Sequence, residues 1–352
     1  MNPGVAVTAW AVHVPGLSDA DLAGGGPAPA CGPDGAAEVL GRKGLLGKEP
    51  STRLALCAVH RAFGLGPGRP AAPLPGADRT AVVVSSNLGN VGTVCSVLDE
   101  MRARSGRAVS PLQAPNASSN VIASTIAIWY GFAAANLMVC SGATGGLDAV
   151  RLAALLLRAG RADRAVVVGV EPADAPSAAL AAAGPVDAPL RAAAACVVLE
   201  RAGDGLLLGP VTYGAGPDVG PGGPVDLDLG PDGDPVAALG DTYGAHGVLQ
   251  VAVAAATLAA APGTARLRCG DPEDGYAAVR LATAGPTPPG LRRTVMTQDE
   301  RPTPTPVPIG HEPEDGVRYG SGDPAGYELD GIPQALLDRV GALDVDTASG
   351  CG

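Results

Sequence analysis

The chain has 352 residues, enough for one large domain or two ordinary ones, and 46% of them are hydrophobic, enough for a sizeable core. Its formal net charge of −11 excludes an ordinary nucleic-acid binder, because holding phosphates takes clustered cations. Aromatics make up only 3%, so that core must be built from Ala, Val and Leu.

Residues 4–16 (GVAVTAWAVHVPG) have strand composition and end at a Pro-Gly turn. Residues 20–38 are rich in Gly, Pro and Ala and read as an irregular loop. A helix is predicted over 49–66, with Ser51 as its N-cap and Gly64 as its stop. The Val-rich run 79–87 predicts a buried strand, 90–106 a helix, and 115–131 a second helix capped by Asn116 or Ser118. NLMVCSG (136–142) predicts a strand. It runs into a helix over 145–160 that is apolar nearly all round and should be buried. Residues 164–172 predict a further buried strand, so strand, helix and strand form a right-handed parallel unit.

The second half is less regular. Residues 193–214 predict a hairpin turned at Ala202–Gly205, and 215–240 leave little scope for regular structure. A long apolar helix is predicted over 244–263, followed by two closing strands in TARLRCG and GYAAVRLATAG. From residue 286 the composition is that of a Pro-rich linker and tail, with a short helix predicted at 332–343. The expected organisation is an N-terminal half (1–185), an abbreviated C-terminal half (186–285) and the tail (286–352).

Seven cysteines are spread singly, with no CxxC pair, which fits a reducing cytosol better than a disulfide framework. No His/Cys/Asp spacing suggests a metal site, and no phosphate-binding loop or dinucleotide fingerprint occurs. The N-terminus shows no signal-peptide pattern, and no apolar run reads as long and clean enough for a membrane span. Arg42, Lys43 and Lys48, and Arg102, Arg104 and Arg107, read as solvated surface.

Three stretches carry a resemblance to a known family: RKGLLGKEPSTRLALCAVHRAF, NLMVCSGATGGLDAVRLAALLLRAGRADRAVVVGVEP and GDTYGAHGVLQVAVAAATL. Over roughly residues 4–284 the chain resembles the β-ketoacyl synthases. Within them it is most similar to the chain-length factor that partners type II polyketide ketosynthases. The resemblance implies an α/β, thiolase-like layered αβαβα fold of two related halves, the second shortened. It places Ala143 at the family's nucleophile position and Asp241 at the second catalytic histidine, and no HGT motif for the first histidine is present. A condensing enzyme needs a thiolate at a helix N-terminus and two histidines facing a developing enolate. Alanine cannot be acylated, and Asp241 would repel an enolate.

The residues left for chemistry are Cys140, His246 and Asp241. Cys140 reads as a buried structural cysteine, with a reactive role as the rival reading. His246 reads as a packing or capping residue, with acid or base work as its rival. Asp148 is expected to be a structural hydrogen-bonding residue. Asn116, Ser118, Ser119 and Asn120 are divided between capping and an interface role.

The resemblance implies a cytoplasmic, non-elongating subunit paired with an active ketosynthase as a heterodimer, or otherwise a homodimer. It needs no cofactor, and its implied ligand is a phosphopantetheine-linked acyl chain on an acyl carrier protein. The rival is an acyl-thioester transferase or hydrolase using Cys140 with His246 or Asp241. A third reading is a homodimeric scaffold whose Pro-rich tail recruits partners.

Overall fold

The computed structural model describes residues 4–17, 29–183, 188–201, 205–230, 236 and 239–283. In chain order the strands are β1 (Val5–His13), β2 (Thr80–Ser85), β3 (Asn136–Val139), β4 (Arg164–Glu171) and β5 (Ala193–Arg201), then β6 (Leu206–Leu208), β7 (Thr212–Gly214), β8 (Leu227–Leu229), β9 (Thr264–Asp271) and β10 (Gly275–Thr283). The longer helices are α1 (Pro50–Ala62), α2 (Val91–Ala103), α3 (Val121–Tyr130), α4 (Gly145–Arg158), α5 (Ala175–Ala182) and α6 (His246–Ala260). All ten strands join one sheet in the order β3-β2-β4-β5-β1-β6-β10-β9-β8, with β7 beside β10.

Strands β2, β4 and β5 are buried almost end to end, as continuous apolar runs require when both faces are covered. Their side chains alternate between two cores with the strand period of two. Ala81, Val83, Ala165, Val167, Ala195 and Val197 join the core built on α4 and α6. Val82, Val84, Val166, Val168, Cys196 and Val198 join the core built on α1 and α3. Strands β3 and β4 both run parallel to β2, so the segment β3–α4–β4 is the expected parallel crossover.

Helices α4 and α6 lie against each other at their first turns. A Cβ on Gly146 would stand 2.8 Å from the backbone of Gly247 and Val248, so only glycine permits this approach. Gln250 anchors α6 from its buried side by donating Nε2 to the Arg268 carbonyl at 2.9 Å. The stretch Tyr243–Ala260 is apolar and long enough to cross a membrane, contrary to the sequence expectation, but it is mostly buried inside this core.

Several expectations change. The 193–214 hairpin does not form: β5 and β6 both pair antiparallel with β1, on opposite sides of it, and therefore run in the same direction. Its turn residues Ala202–Asp204 lie outside the described residues, as do the tail and the 332–343 helix. Helix α1 starts at Pro50, whose fixed φ suits a first helical position, so Glu49 takes the cap position. Ser51 is instead buried and donates to the Gly89 carbonyl.

Helix α3 starts only at Val121, because Ala114–Ala117 form a separate 3-10 turn and Asn120 holds the cap position. Helix α4 is not buried all round, since Arg151 and Leu155 face solvent. Residues 215–240 contribute the short strand β8.

Candidate functional site

Strand β3 ends at Val139. Cys140 and Ser141 follow, then a 3-10 turn over Gly142–Thr144, then α4. The turn is held from three directions. Asn87 clamps Gly142 both ways, donating Nδ2 to its carbonyl at 3.0 Å and accepting from its N–H at 3.1 Å. Asp148 reaches back one helical turn, where its Oδ2 accepts from Ser141 Oγ at 2.6 Å and from Thr144 Oγ1 at 2.9 Å. Its Oδ1 accepts from the Tyr213 hydroxyl at 2.5 Å. Asp148 is thus the structural hydrogen-bonding residue expected of it.

The third contact comes from the β9–β10 turn. The Ala143 N–H donates to Asp274 Oδ2 at 2.7 Å. Asp274 itself is set by Asp271, whose Oδ1 accepts the N–H of Glu273 at 2.9 Å and of Asp274 at 2.7 Å. Gly142 has φ +66°, and a side chain there would collide with the Asp274 carboxylate, so glycine is needed on both counts. The Ala143 amide is therefore already occupied by a carboxylate of this chain. Nothing in the residue spacing announced Asp274. Its one signal was an acidic turn, DPEDG, between the two closing strands.

A second 3-10 turn, Tyr243–Ala245, leads into α6 and carries the other candidates. Ser85 Oγ donates to the Gly244 carbonyl at 2.6 Å and ties this turn to β2. Asp241 accepts the Tyr243 N–H at 2.8 Å, and burial holds its carboxyl above the usual range while His246 pulls the other way. His246 Nδ1 lies 3.1 Å from Thr242 Oγ1, the helix-start contact expected of a capping residue. Tyr243 sits at φ +37°, in the left-handed region. Its hydroxyl is held above its ordinary value by burial, then by the charges of Asp274, Asp271, Glu171 and Asp241. Asp241 and His246 are thus brought together, in an acidic setting that opposes a developing anion.

Beneath both turns lies Glu171, fully buried at the end of β4. Its Oε1 accepts the Asn87 N–H at 2.7 Å, and its Oε2 accepts the Leu88 N–H and the Ser86 hydroxyl, both at 3.0 Å. Burial pushes its carboxyl up to about 7 despite these donors.

Cys140 departs from expectation, being exposed where a buried residue was predicted. It follows β3, the strand at one end of the sheet, which among the described residues has a neighbour on one side only. Its Sγ donates to the Ser86 carbonyl at 3.1 Å, and desolvation of the sulfur, then the Glu171 charge, push the thiol up. This environment does not activate a nucleophile. Asn116 is buried and donates to the Gly47 carbonyl at 2.5 Å, while Asn120 donates to Asn136 Oδ1 at 2.8 Å. Ser118 and Ser119 are exposed.

Residues 43–209 match the family described as β-ketoacyl synthase, N-terminal domain. No curated protein matches the chain. Among solved structures, the chain is similar to the ishigamide ketosynthase/chain length factor, at 20% identity and TM-score 0.63, over 80% of this chain and 100% of that one. It is also similar to a chain of a type II PKS acyl-carrier protein in complex with its ketosynthase bound to the hexaketide. That match has 12% identity and TM-score 0.56, over 81% of this chain and 100% of that one. The layered sheet and its paired central helices are therefore the thiolase-like ketosynthase fold, and within it residues 43–209 match the β-ketoacyl synthase N-terminal domain.

Proposed function

We propose that the chain is a non-elongating, chain-length-factor-like subunit that pairs with an active ketosynthase in polyketide or fatty-acyl biosynthesis in the cytoplasm. One observation carries the reading: the N–H of Ala143, the residue that the resemblance aligns with the nucleophile, is taken by Asp274. A condensing site needs a thiolate there and an amide free for the acyl oxygen. Asp241 and its acidic neighbours replace the histidine chemistry that an enolate requires.

A partner surface supports the same reading. Among the described residues, strand β3 leaves one edge unpaired, and α2 has no buried residue although it carries Val94, Val97, Leu98 and Met101. Leu98, Met101, Leu112 and Ile128 are exposed. A ketosynthase pairing over these elements would cover apolar groups and backbone donors that otherwise meet water. The implied ligand is a phosphopantetheine-linked acyl chain presented by an acyl carrier protein, with the partner supplying the reactive thiol.

The test is purification of the tagged chain from its native host, with mass spectrometry of what accompanies it. An active ketosynthase in equal amount is the expected result. Recovery of the chain only with itself would sink the pairing. Turnover of an acyl thioester by the chain alone, abolished by Cys140→Ala, would establish the rival acyl-transfer reading instead.

A further inference from the structure

Away from the ketosynthase site, three chemically soft side chains converge between β1 and α1. His13 ends β1, Cys31 lies just before the 3-10 turn Pro33–Ala36, and Cys57 sits in the middle of α1. Their donor atoms all lie within 4.8 Å of one another. His13 and Cys57 are buried and Cys31 is half-buried. Among the described residues this is the one such cluster of metal-ligating side chains. We propose that His13, Cys31 and Cys57 bind one thiophilic d10 metal ion, Zn2+ or Cu+.

The donor set decides the class of ion. Two sulfurs and one imidazole suit Zn2+ or Cu+, whereas Mg2+ and Ca2+ take oxygen. The cluster is rigidly framed, because one ligand comes from a strand in mid-sheet and one from a helix packed on it. Binding replaces the two thiol protons, which pass to solvent, and no electron moves. The imidazole is already neutral: burial, then Arg61, hold it down to about 4. The thiols start protonated, since burial pushes both up, so the ion must displace protons to enter.

Local rearrangement is required. His13 Nε2 now lies 3.0 Å from the Cys31 carbonyl, and Arg61 Nη1 lies 3.5 Å from Nδ1. Coordination through Nε2 moves the ring proton to Nδ1, so the half-buried Arg61 side chain must swing away. Glu38 is exposed and acts electrostatically on Cys31, so it balances charge at the outer side.

The experiment uses the full chain, purified without chelator and reduced. Titration with Co2+, as a spectroscopic stand-in for Zn2+, is expected to give a sulfur-to-cobalt charge-transfer band saturating at one ion per chain, displaced by Zn2+. A parallel arm loads Cu+ against a copper chelator and identifies which ion is held more tightly. Cys31→Ser, at the half-buried position, is expected to abolish the band with the circular dichroism unchanged, while Cys95→Ser and Cys140→Ser leave it intact. No band and no retained metal after desalting would overturn the proposal, as would binding that survives Cys31→Ser. So would a mass two hydrogens low in reduced-and-desalted protein, with Cys31 and Cys57 joined as a disulfide.

Discussion

Installing a thiol at the turn tests whether Asp274 closes it. In Ala143→Cys, the hydrogen bond from the residue 143 amide to Asp274 brings the carboxylate within about 5 Å of the new sulfur. Two negative charges at about 5 Å repel by about 1 kcal/mol in water and about 3 kcal/mol at an effective dielectric near 20. Asp274 is exposed, so the weaker end applies, and about 1 kcal/mol is about fivefold in thiolate population at fixed pH. Adding Asp274→Asn keeps an acceptor for the amide and removes only the charge. Alkylation by iodoacetamide at pH 7, read peptide by peptide by mass spectrometry, separates position 143 from Cys140. The double variant is expected to react about fivefold faster at position 143. Equal rates would refute the placement of Asp274 over the turn.

Stability should depend on pH through Glu171 and Glu49, whose carboxyls burial pushes up to about 7. Each folded carboxyl holds its proton more tightly than the unfolded one, so the stabilisation is fully present below about 4.5 and is lost as pH rises through about 7. Urea midpoints are expected to fall between pH 5 and pH 8, and a rise across that range would contradict these environments. Gly146→Ala places a methyl 2.8 Å from the Gly247 and Val248 backbone and should cost about 1–3 kcal/mol after any gain in helix propensity. Calorimetry should show a lower melting temperature, whereas an increase would mean that the α4–α6 approach is looser than described.

Periodicity carried the fold where it was strong. The apolar runs of β2, β4 and β5 and the long apolar segment of α6 need no partner to be recognised, because burial on nearly every side leaves a composition without alternation. Local chemistry misled where a distant strand decided the outcome. The 193–214 segment reads as a hairpin because two apolar runs flank a short polar link, and nothing in it reveals that β1 separates them.

Ser51 has the right type for a cap but stands after a proline that starts the helix first. At the site, the resemblance pointed to the turn that holds Ala143. The carboxylate that fills the space was not legible, since Asp274 lies 131 residues away on another hairpin. His13, Cys31 and Cys57 escaped notice for the same reason: they come from a strand, a loop and a helix, with no shared spacing.

The place of β1 in mid-sheet sets a timetable for making the protein. Val5 pairs with Arg201 on one side and Leu208 on the other, so β1 is synthesised well before either neighbour and is enclosed late. At about 5–20 residues per second, an apolar strand waits about 10–40 s for its neighbours. During that wait β5 is missing as well, and the growing chain presents open strand edges to whatever is nearby. Such distant pairing slows folding. Yield in a foreign host should therefore respond more to chaperone supply and slower synthesis than to any change at the protein surface.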